Sequence, residues 1–290
     1  CQDHPPGTAV AWDPYPISLR LVNVLKAILR GQTASPPLLD TLAAQTRWLC
    51  QRLETHLLGN HLWANAKALT VAGACFSGKE GDHWLRLGLR LVDQQLGEQV
   101  LADGGHFERS PMYHAIVLED VLDLLTLDRC LRDRLPPDLV SRLRATVPAM
   151  LDWLCAFSRP DGTPALFNDS VAGVAAPLPV LLDYASRLGL APTTAANPPV
   201  RHFRASGFIR ADLGQASRQA DVGAIGPVYQ PGHAHAETLS FELAIAGQSI
   251  VVNTGIDRYG VSAERLWQRG TAAHSTLVVE GRNSSDVWSG

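Results

Sequence analysis

The chain has 290 residues, 46% of them hydrophobic and 18% charged, with a formal net charge of −3. That length buries a large core and exceeds one average domain. The composition excludes a disordered chain, and the lack of a basic tract excludes nucleic acid as the main partner. No run of about 18 apolar residues occurs, so no membrane span is expected.

The five cysteines, Cys1, Cys50, Cys75, Cys130 and Cys155, show no metal or redox spacing, and four of them lie in apolar, helix-like stretches. Small buried thiols are their expected role. There is no initiator Met and no signal-peptide pattern, and the text stops at Gly290 just after strand-like sequence. It reads as a fragment of a longer protein.

Residues 1–16 are loop-like. From Ile17 to about 195 the periodicity is helical. Leu19, Leu21, Val22, Leu25 and Leu29 make one apolar face. Pro36-Pro37 opens a second helix whose stripe runs through Leu38, Leu42, Leu49, Leu53 and Leu57 until Gly59 stops it. Further helices are expected from about His61 to Phe76 and from about Asp82 to Val100. After the Gly104-Gly105 break, Ser110 as N-cap and Pro111 at the first helical position start a helix that reaches about Arg132. Two more cover about 137–158 and 172–188. Short connections make successive helices antiparallel, so the helices after Asn60 and after Ser110 start on the same rim.

Leu190 to Pro199 reads as a linker. Beyond it the period changes to that of strands: Phe203–Ala211, Val222–Ile225, Thr238–Ala246, Ser249–Asn253 and Ser275–Glu280, with a tight turn at Gly247-Gln248. The expected division is a helical domain over 1–195 and a β domain over 196–290.

Chemistry-bearing residues gather at the breaks. In Gln230-Pro231-Gly232-His233-Ala234-His235-Ala236-Glu237, two histidines stand two apart. An extended backbone turns both to one place; a bend at Gly232 divides them between neighbouring sites. Tyr113 falls in the first turn after Ser110, where exposed amides and the helix dipole favour a phenolate. Asn60 either caps the next helix or offers a neutral amide to a carboxylate, with His61 beside it as donor or base. His235, Asn253 and His274 supply two imidazoles and an oxygen, a set able to bind zinc or to form a polar cluster within the β domain. Glu108, Arg109, Arg265 and Arg269 are either solvated charges or contacts to an acidic sugar. Asn168-Asp169 sits in a loop that can reach the site. Trp12, Trp63 and Trp267 either pack in the core or stack on sugar rings.

The chain resembles the heparinase II/III-like polysaccharide lyases. The resemblance rests on Gly59-Asn60-His61-Leu62-Trp63-Ala64-Asn65, Phe107-Glu108-Arg109-Ser110-Pro111-Met112-Tyr113-His114, Gly232-His233-Ala234-His235-Ala236, Val251-Val252-Asn253-Thr254-Gly255 and Ala272-Ala273-His274-Ser275-Thr276, in the family's order over most of the chain. It implies an α+β multidomain fold: an incomplete toroid of antiparallel helix pairs, then an antiparallel β-sandwich, here truncated at its C-terminal part. It further implies β-elimination of a uronic-acid polysaccharide in a cleft, and a periplasmic or extracellular location. By resemblance, Asn60, alone or with His61, neutralises the uronate carboxylate, Tyr113 protonates the leaving oxygen and is a candidate for the base as well, and His233 is the alternative or assisting base. Glu108, Arg109, Asp169 and Arg269 contact substrate. His235 and His274 match positions that hold a structural zinc, with Asn253 where the family usually has Asp; no other cofactor is implied.

Elimination asks for donors on the carboxylate next to C5, a base at C5 and an acid at O4. No water attacks, so the carboxylate pair of a glycosidase is not needed. Two rival readings are a non-catalytic exopolysaccharide binder or scaffold and a cupin-like metal enzyme built on His233 and His235.

Overall fold

The computed structural model describes residues 5, 7, 8, 10–131, 134–193, 198–227 and 229–288. The expected domain boundary at 195–196 lies outside them. Among the described residues the fold is α+β, with eight α-helices and one five-stranded antiparallel sheet. No described helix is long and apolar enough to cross a membrane. The chain divides into two compact units, Cys1–Gly97 with Asp123–Ser141, and Glu98–Leu122 with Arg142–Gly290.

In the first unit, α1 (Pro14–Leu29) and α2 (Pro36–Cys50) pack on α3 (Gly59–Cys75). Helix α3 is buried all round its length, as its mixed Ala, Leu, Val and Trp content requires. Helix α4 (Gly78–Gln99) crosses α3 closely at two glycines. A Cβ on Gly73 would lie 2.2 Å from the Leu85 nitrogen, and one on Gly88 would lie 2.5 Å from the Thr70 nitrogen. Trp12 and Trp63 are core residues.

The second helix ends at Cys50, short of the Leu57 expected from its stripe. The cause is a tertiary contact. Asn65 on α3 accepts from the Glu54 backbone at 2.9 Å and donates to Glu54 Oε2 at 2.9 Å. These bonds draw residues 51–58 over the start of α3, where Leu58 and Gly59 both take positive φ, 58° and 53°.

One buried charge cluster anchors this unit. Asp123 takes Lys26 Nζ at 2.7 Å and Lys67 Nζ at 2.6 Å. Burial alone would raise the Asp123 carboxyl; the two ammonium groups outweigh it and hold it below the usual range. Lys67 is nearly inaccessible, whereas the Lys26 side chain keeps 26% exposure. Lys26→Ala should therefore cost only about 0.5–1 kcal/mol in urea denaturation, the range of partly solvated ion pairs. A loss several times larger would show that both cations are needed to hold the carboxylate.

In the second unit, α5 (Pro111–Leu131) starts where Ser110 Oγ accepts from the Tyr113 backbone at 3.3 Å, the N-cap read from the sequence. Helix α6 (Pro137–Ala156) carries Trp153 into an aromatic core with Phe157, Phe167 and Phe208, with ring centroids 4.5 to 5.6 Å apart. That core sets the loop after Phe167, which bears Asn168, Asp169 and Ser170. Helix α7 (Leu178–Arg187) begins later than the expected 172: residues 172–174 form a turn, and Pro177, with extended backbone, is the residue that caps the helix.

The sheet runs in chain order: β1 (Val200–Phe203), β2 (Phe208–Leu213), β3 (Ala216–Asp221), β4 (Phe241–Ile245) and β5 (Gln248–Val251). The expected strand over 203–211 is two strands, parted by a turn at Gly207, whose φ is +81°. Val222–Ile225 is not a strand; β3 ends at Asp221, and Gly223 and Gly226 break the pattern beyond it. Ser275–Glu280 is irregular as well. Its side chains take the place of a ladder: Ser275 Oγ accepts from the Phe241 backbone at 3.3 Å and Thr276 Oγ1 donates to the Thr238 carbonyl at 2.7 Å. The β4–β5 turn falls at Ala246-Gly247, both with positive φ. A short helix, α8 (Ala263–Arg269), follows β5 and had no counterpart in the periodicity.

Candidate functional site

In the second unit, the segment Pro231–Glu237 lies between the Asn168–Asp169 loop and α8. Gly232 sits in a single 3-10 turn, Pro231–His233, after which the backbone extends. Both geometries weighed for the histidine pair are therefore realised. His233 and His235 flank one carboxylate yet face different neighbours. His233 Nδ1 donates to Asp169 Oδ2 at 2.7 Å, and His235 Nε2 donates to Asp169 Oδ1 at 2.7 Å. The Arg265 guanidinium bonds both oxygens, at 2.5 and 2.7 Å. Burial would raise the Asp169 carboxyl, but these donors hold it far below the ordinary range.

Asp169 was expected on the substrate; it is instead fully buried, with its oxygens taken by three side chains. The same holds for Arg269. It is buried, with its guanidinium on the carbonyls of Ala234 (2.7 Å), Pro231 (3.1 Å) and Trp288 (2.7 Å). Arg265 and Arg269 stand four apart on α8, so one face of that helix reaches both Asp169 and the carbonyls of the histidine segment. Ser262 Oγ caps α8 at the Arg265 nitrogen. That Ser and the i, i+4 arginines were the sequence signal for it.

His233 lies against Tyr113, with ring centroids 4.4 Å apart. Its Nε2 stands 3.9 Å from Glu108 Oε2. Burial lowers the His233 pKa, but the Glu108 and Asp169 carboxylates together raise it above the ordinary value. Glu108, also expected on the substrate, is buried and acts on this imidazole. Arg109 donates to the Ala224 carbonyl, and burial lowers its pKa.

The Tyr113 hydroxyl lies 3.0 Å from that of Tyr259, a residue the sequence reading passed over. Burial pushes Tyr259 up to about 12, so it stays protonated at neutral pH. Tyr259 as a whole residue is 47% exposed, so the pair lies next to solvent. Backbone strain gathers at the same place. Arg109 and Asn168 have φ of 60° and 52°, and Asn168 ties them together, donating to the Arg109 carbonyl at 3.1 Å and accepting from the His235 backbone at 3.0 Å.

The second group expected in the β region also assembles. His235 Nδ1 and His274 Nε2 are 3.3 Å apart, and His274 Nδ1 donates to Asn253 Oδ1 at 2.6 Å. Burial lowers both imidazoles, His274 to about 3. Glu237 joins them, with Oε2 3.3 Å from His274 Nδ1. His235, Glu237 and His274 are all buried and are positioned to hold a metal ion.

Asn60 and His61 belong to the first unit. The helix cap is Leu58, so Asn60 is not the cap; it lies buried in the first turn of α3. His61 Nδ1 bonds Glu54 Oε1 at 2.9 Å, and its ring lies 4.6 Å from that of Tyr15. Of the tryptophans, Trp267 alone of the three is exposed, on α8.

Comparison with known proteins gives two family matches. Residues 2–185 match the heparinase II/III N-terminus, and residues 195–290 match the heparinase II/III-like C-terminal model. A heparin-sulfate lyase of Pedobacter heparinus is 25% identical over 300 residues, spanning 94% of this chain and 44% of that protein. FtsZ-localized protein C of Caulobacter vibrioides is 33% identical over 141 residues, spanning 46% of this chain and 23% of that protein. Among solved structures, heparinase III superposes with a TM-score of 0.79 at 19% identity, covering 97% of this chain and 50% of that one. The chain thus spans about half the length of these lyases. With both family models matched over nearly its whole length, the chain belongs to the heparinase II/III-like family.

Proposed function

We propose that the protein is a polysaccharide lyase that cleaves a uronic-acid polysaccharide by β-elimination. The observation that carries this reading is the Tyr113–His233 pair, a phenol and an imidazole in ring contact at 4.4 Å beside solvent-accessible Tyr259. The family membership and the lyase names of its relatives support it. The finer architecture that goes with this reading is the family's incomplete toroid followed by a β-sandwich.

In the reaction the C5–H bond breaks and its electron pair forms the C4=C5 double bond. The C4–O4 bond breaks, and O4 leaves with a proton. Tyr113 is assigned to both proton transfers: as phenolate it takes the C5 proton and, so protonated, gives it to the leaving O4, while Tyr259, held protonated, donates to the Tyr113 oxygen when it carries charge. His233 is the assisting group at C5 or at the carboxylate. Its raised pKa favours the imidazolium, which suits a donor to the growing enolate better than a base. Asn60, with His61, is assigned to the uronate carboxylate on the family resemblance. Asp169, Arg265, Arg269 and Glu108 are assigned to positioning and charging His233 rather than to sugar.

The test is incubation with heparan sulfate, hyaluronan, alginate and bacterial exopolysaccharides while following the ultraviolet absorbance of the unsaturated product. A rise with at least one polymer is expected. A flat trace with all of them, together with measurable sugar binding, would favour the second reading, a non-catalytic scaffold of the same fold. That alternative draws on the 33% identity over 141 residues to FtsZ-localized protein C, higher than the 25% to the Pedobacter lyase.

A further inference from the structure

Ser18, Glu54 and Asn65 are buried in the first unit, and the hydrogen bonds among them can run in one direction only. The Glu54 backbone donates to Asn65 Oδ1 at 2.9 Å, so the Asn65 amide cannot be reversed. Its Nδ2 donates to Glu54 Oε2 at 2.9 Å and to Ser18 Oγ at 3.1 Å. Ser18 gives its own proton to the Pro14 carbonyl at 2.8 Å, which leaves its oxygen to accept from Asn65. The other carboxylate oxygen, Glu54 Oε1, faces His61 Nδ1 at 2.9 Å. A carboxylate accepts and does not donate, so Nδ1 carries the imidazole proton. A neutral ring with its proton on Nδ1 has a lone pair on Nε2, on the edge away from Glu54. The Tyr15 ring packs on His61 at 4.6 Å, while the His61 side chain keeps 32% exposure. The imidazole is thus fixed on one edge and one face and stays reachable from solvent.

We propose that Glu54 is a positioning residue: it fixes His61 as the Nδ1–H tautomer, and Nε2 then accepts from a hydroxyl of the sugar instead of donating to the uronate carboxylate. This role rests on the lyase reading and sharpens it. On an ionised uronate residue the hydroxyls are the donors, and the carboxylate only accepts. A neutral His61 held in this tautomer would set a lone pair against the carboxylate, whereas the Asn60 amide carries two N–H donors. The two neighbours therefore divide the sugar, Asn60 on the carboxylate and His61 on a hydroxyl. Glu54 stands seven residues before His61 and outside the Gly59–Asn65 motif. It reaches the imidazole because Asn65, the last residue of that motif, holds both its backbone and its carboxylate. A buried supporting residue of this kind locks the geometry of the group that meets the ligand.

The experiment is a long-range proton–nitrogen NMR spectrum of the isotope-labelled chain just above neutral pH, which separates the two neutral imidazole tautomers from the imidazolium. His61→Gln identifies the His61 signals. The wild type is expected to show the Nδ1–H ring. Glu54→Gln should reverse it: the new amide gives its oxygen to Asn65 Nδ2 and turns its N–H groups to His61, which moves the imidazole proton to Nε2. With a polymer that the wild type cleaves, the same variant should raise KM by about 2–10-fold and leave kcat nearly unchanged, because the hydroxyl that donated to Nε2 must turn round to accept. A lower KM in Glu54→Gln would place the ring on the carboxylate and overturn the hydroxyl contact. A wild-type His61 protonated at Nε2 or at both nitrogens, or an Nδ1–H ring that persists in Glu54→Gln, would overturn the positioning role. The wild-type spectrum decides the tautomer even if Glu54→Gln does not fold. A flat lyase assay beside an Nδ1–H ring would refute the hydroxyl contact together with the lyase reading, and would leave the hold of Glu54 on His61 standing.

Discussion

Tyr113→Phe should lower turnover of uronate polymer by at least about 10²–10⁴-fold, the range that a positioned acid or base supplies. The fold should survive. The substitution removes one oxygen and its 3.0 Å contact with Tyr259, a change of about 1 kcal/mol in stability at most. The phenyl ring still packs against His233 and still sits one turn into α5. Activity and denaturation midpoint should therefore separate cleanly: turnover collapses while the midpoint hardly moves. Tyr259→Phe is the companion variant. It leaves the acid in place and removes only its neighbour, so the loss should be smaller. Retained turnover in Tyr113→Phe, measured as the ultraviolet product, would take the proton-transfer role away from this residue.

Asp169→Asn is the second large effect, and here stability and function move together. The amide presents N–H groups where His233, His235 and Arg265 all donate. It also leaves the buried Arg265 guanidinium without its counter-charge. Breaking one side of such a pair costs about 3–5 kcal/mol. A double variant, Asp169→Leu with Arg265→Met, removes the stranded cation as well and should recover part of that loss. The cycle then measures the coupling. The pH sense is set by the depressed Asp169 carboxyl. Its stabilisation is present above the unfolded value of about 3.9 and is lost only as pH falls through the far lower folded value. The wild type should thus keep this contribution throughout mild acid. An Asp169→Asn protein with an unchanged urea midpoint would remove Asp169 from the centre of the site.

Much of the fold was legible in the text. Pro36-Pro37, Ser110-Pro111 and the apolar stripes placed the helices because caps and periodicity are local. Where expectation and structure part, a distant contact decides. Helix α2 stops early because Asn65 captures Glu54. Residues 275–280 forgo a strand because Ser275 and Thr276 bond the chain near β4 through their side chains. The candidate site divides in the same way. His233-Ala234-His235 and the first-turn Tyr113 announced themselves by spacing and by position at a break. Glu108, Asp169 and Arg269 looked like surface charge, since nothing in their neighbours along the chain reveals burial.

The residues by themselves determined the family, the order of helices before strands, and the types of side chain on offer: a phenol, imidazoles, an amide. Those follow from composition, periodicity and short motifs, which act over a few residues. Only the tertiary structure decided which groups share a proton or a charge. Asp169 meets His233 from 64 positions away, His235 from 66 and Arg265 from 96. Bonds across such separations come from the packing of the aromatic core and α8. No pattern of neighbouring residues encodes them.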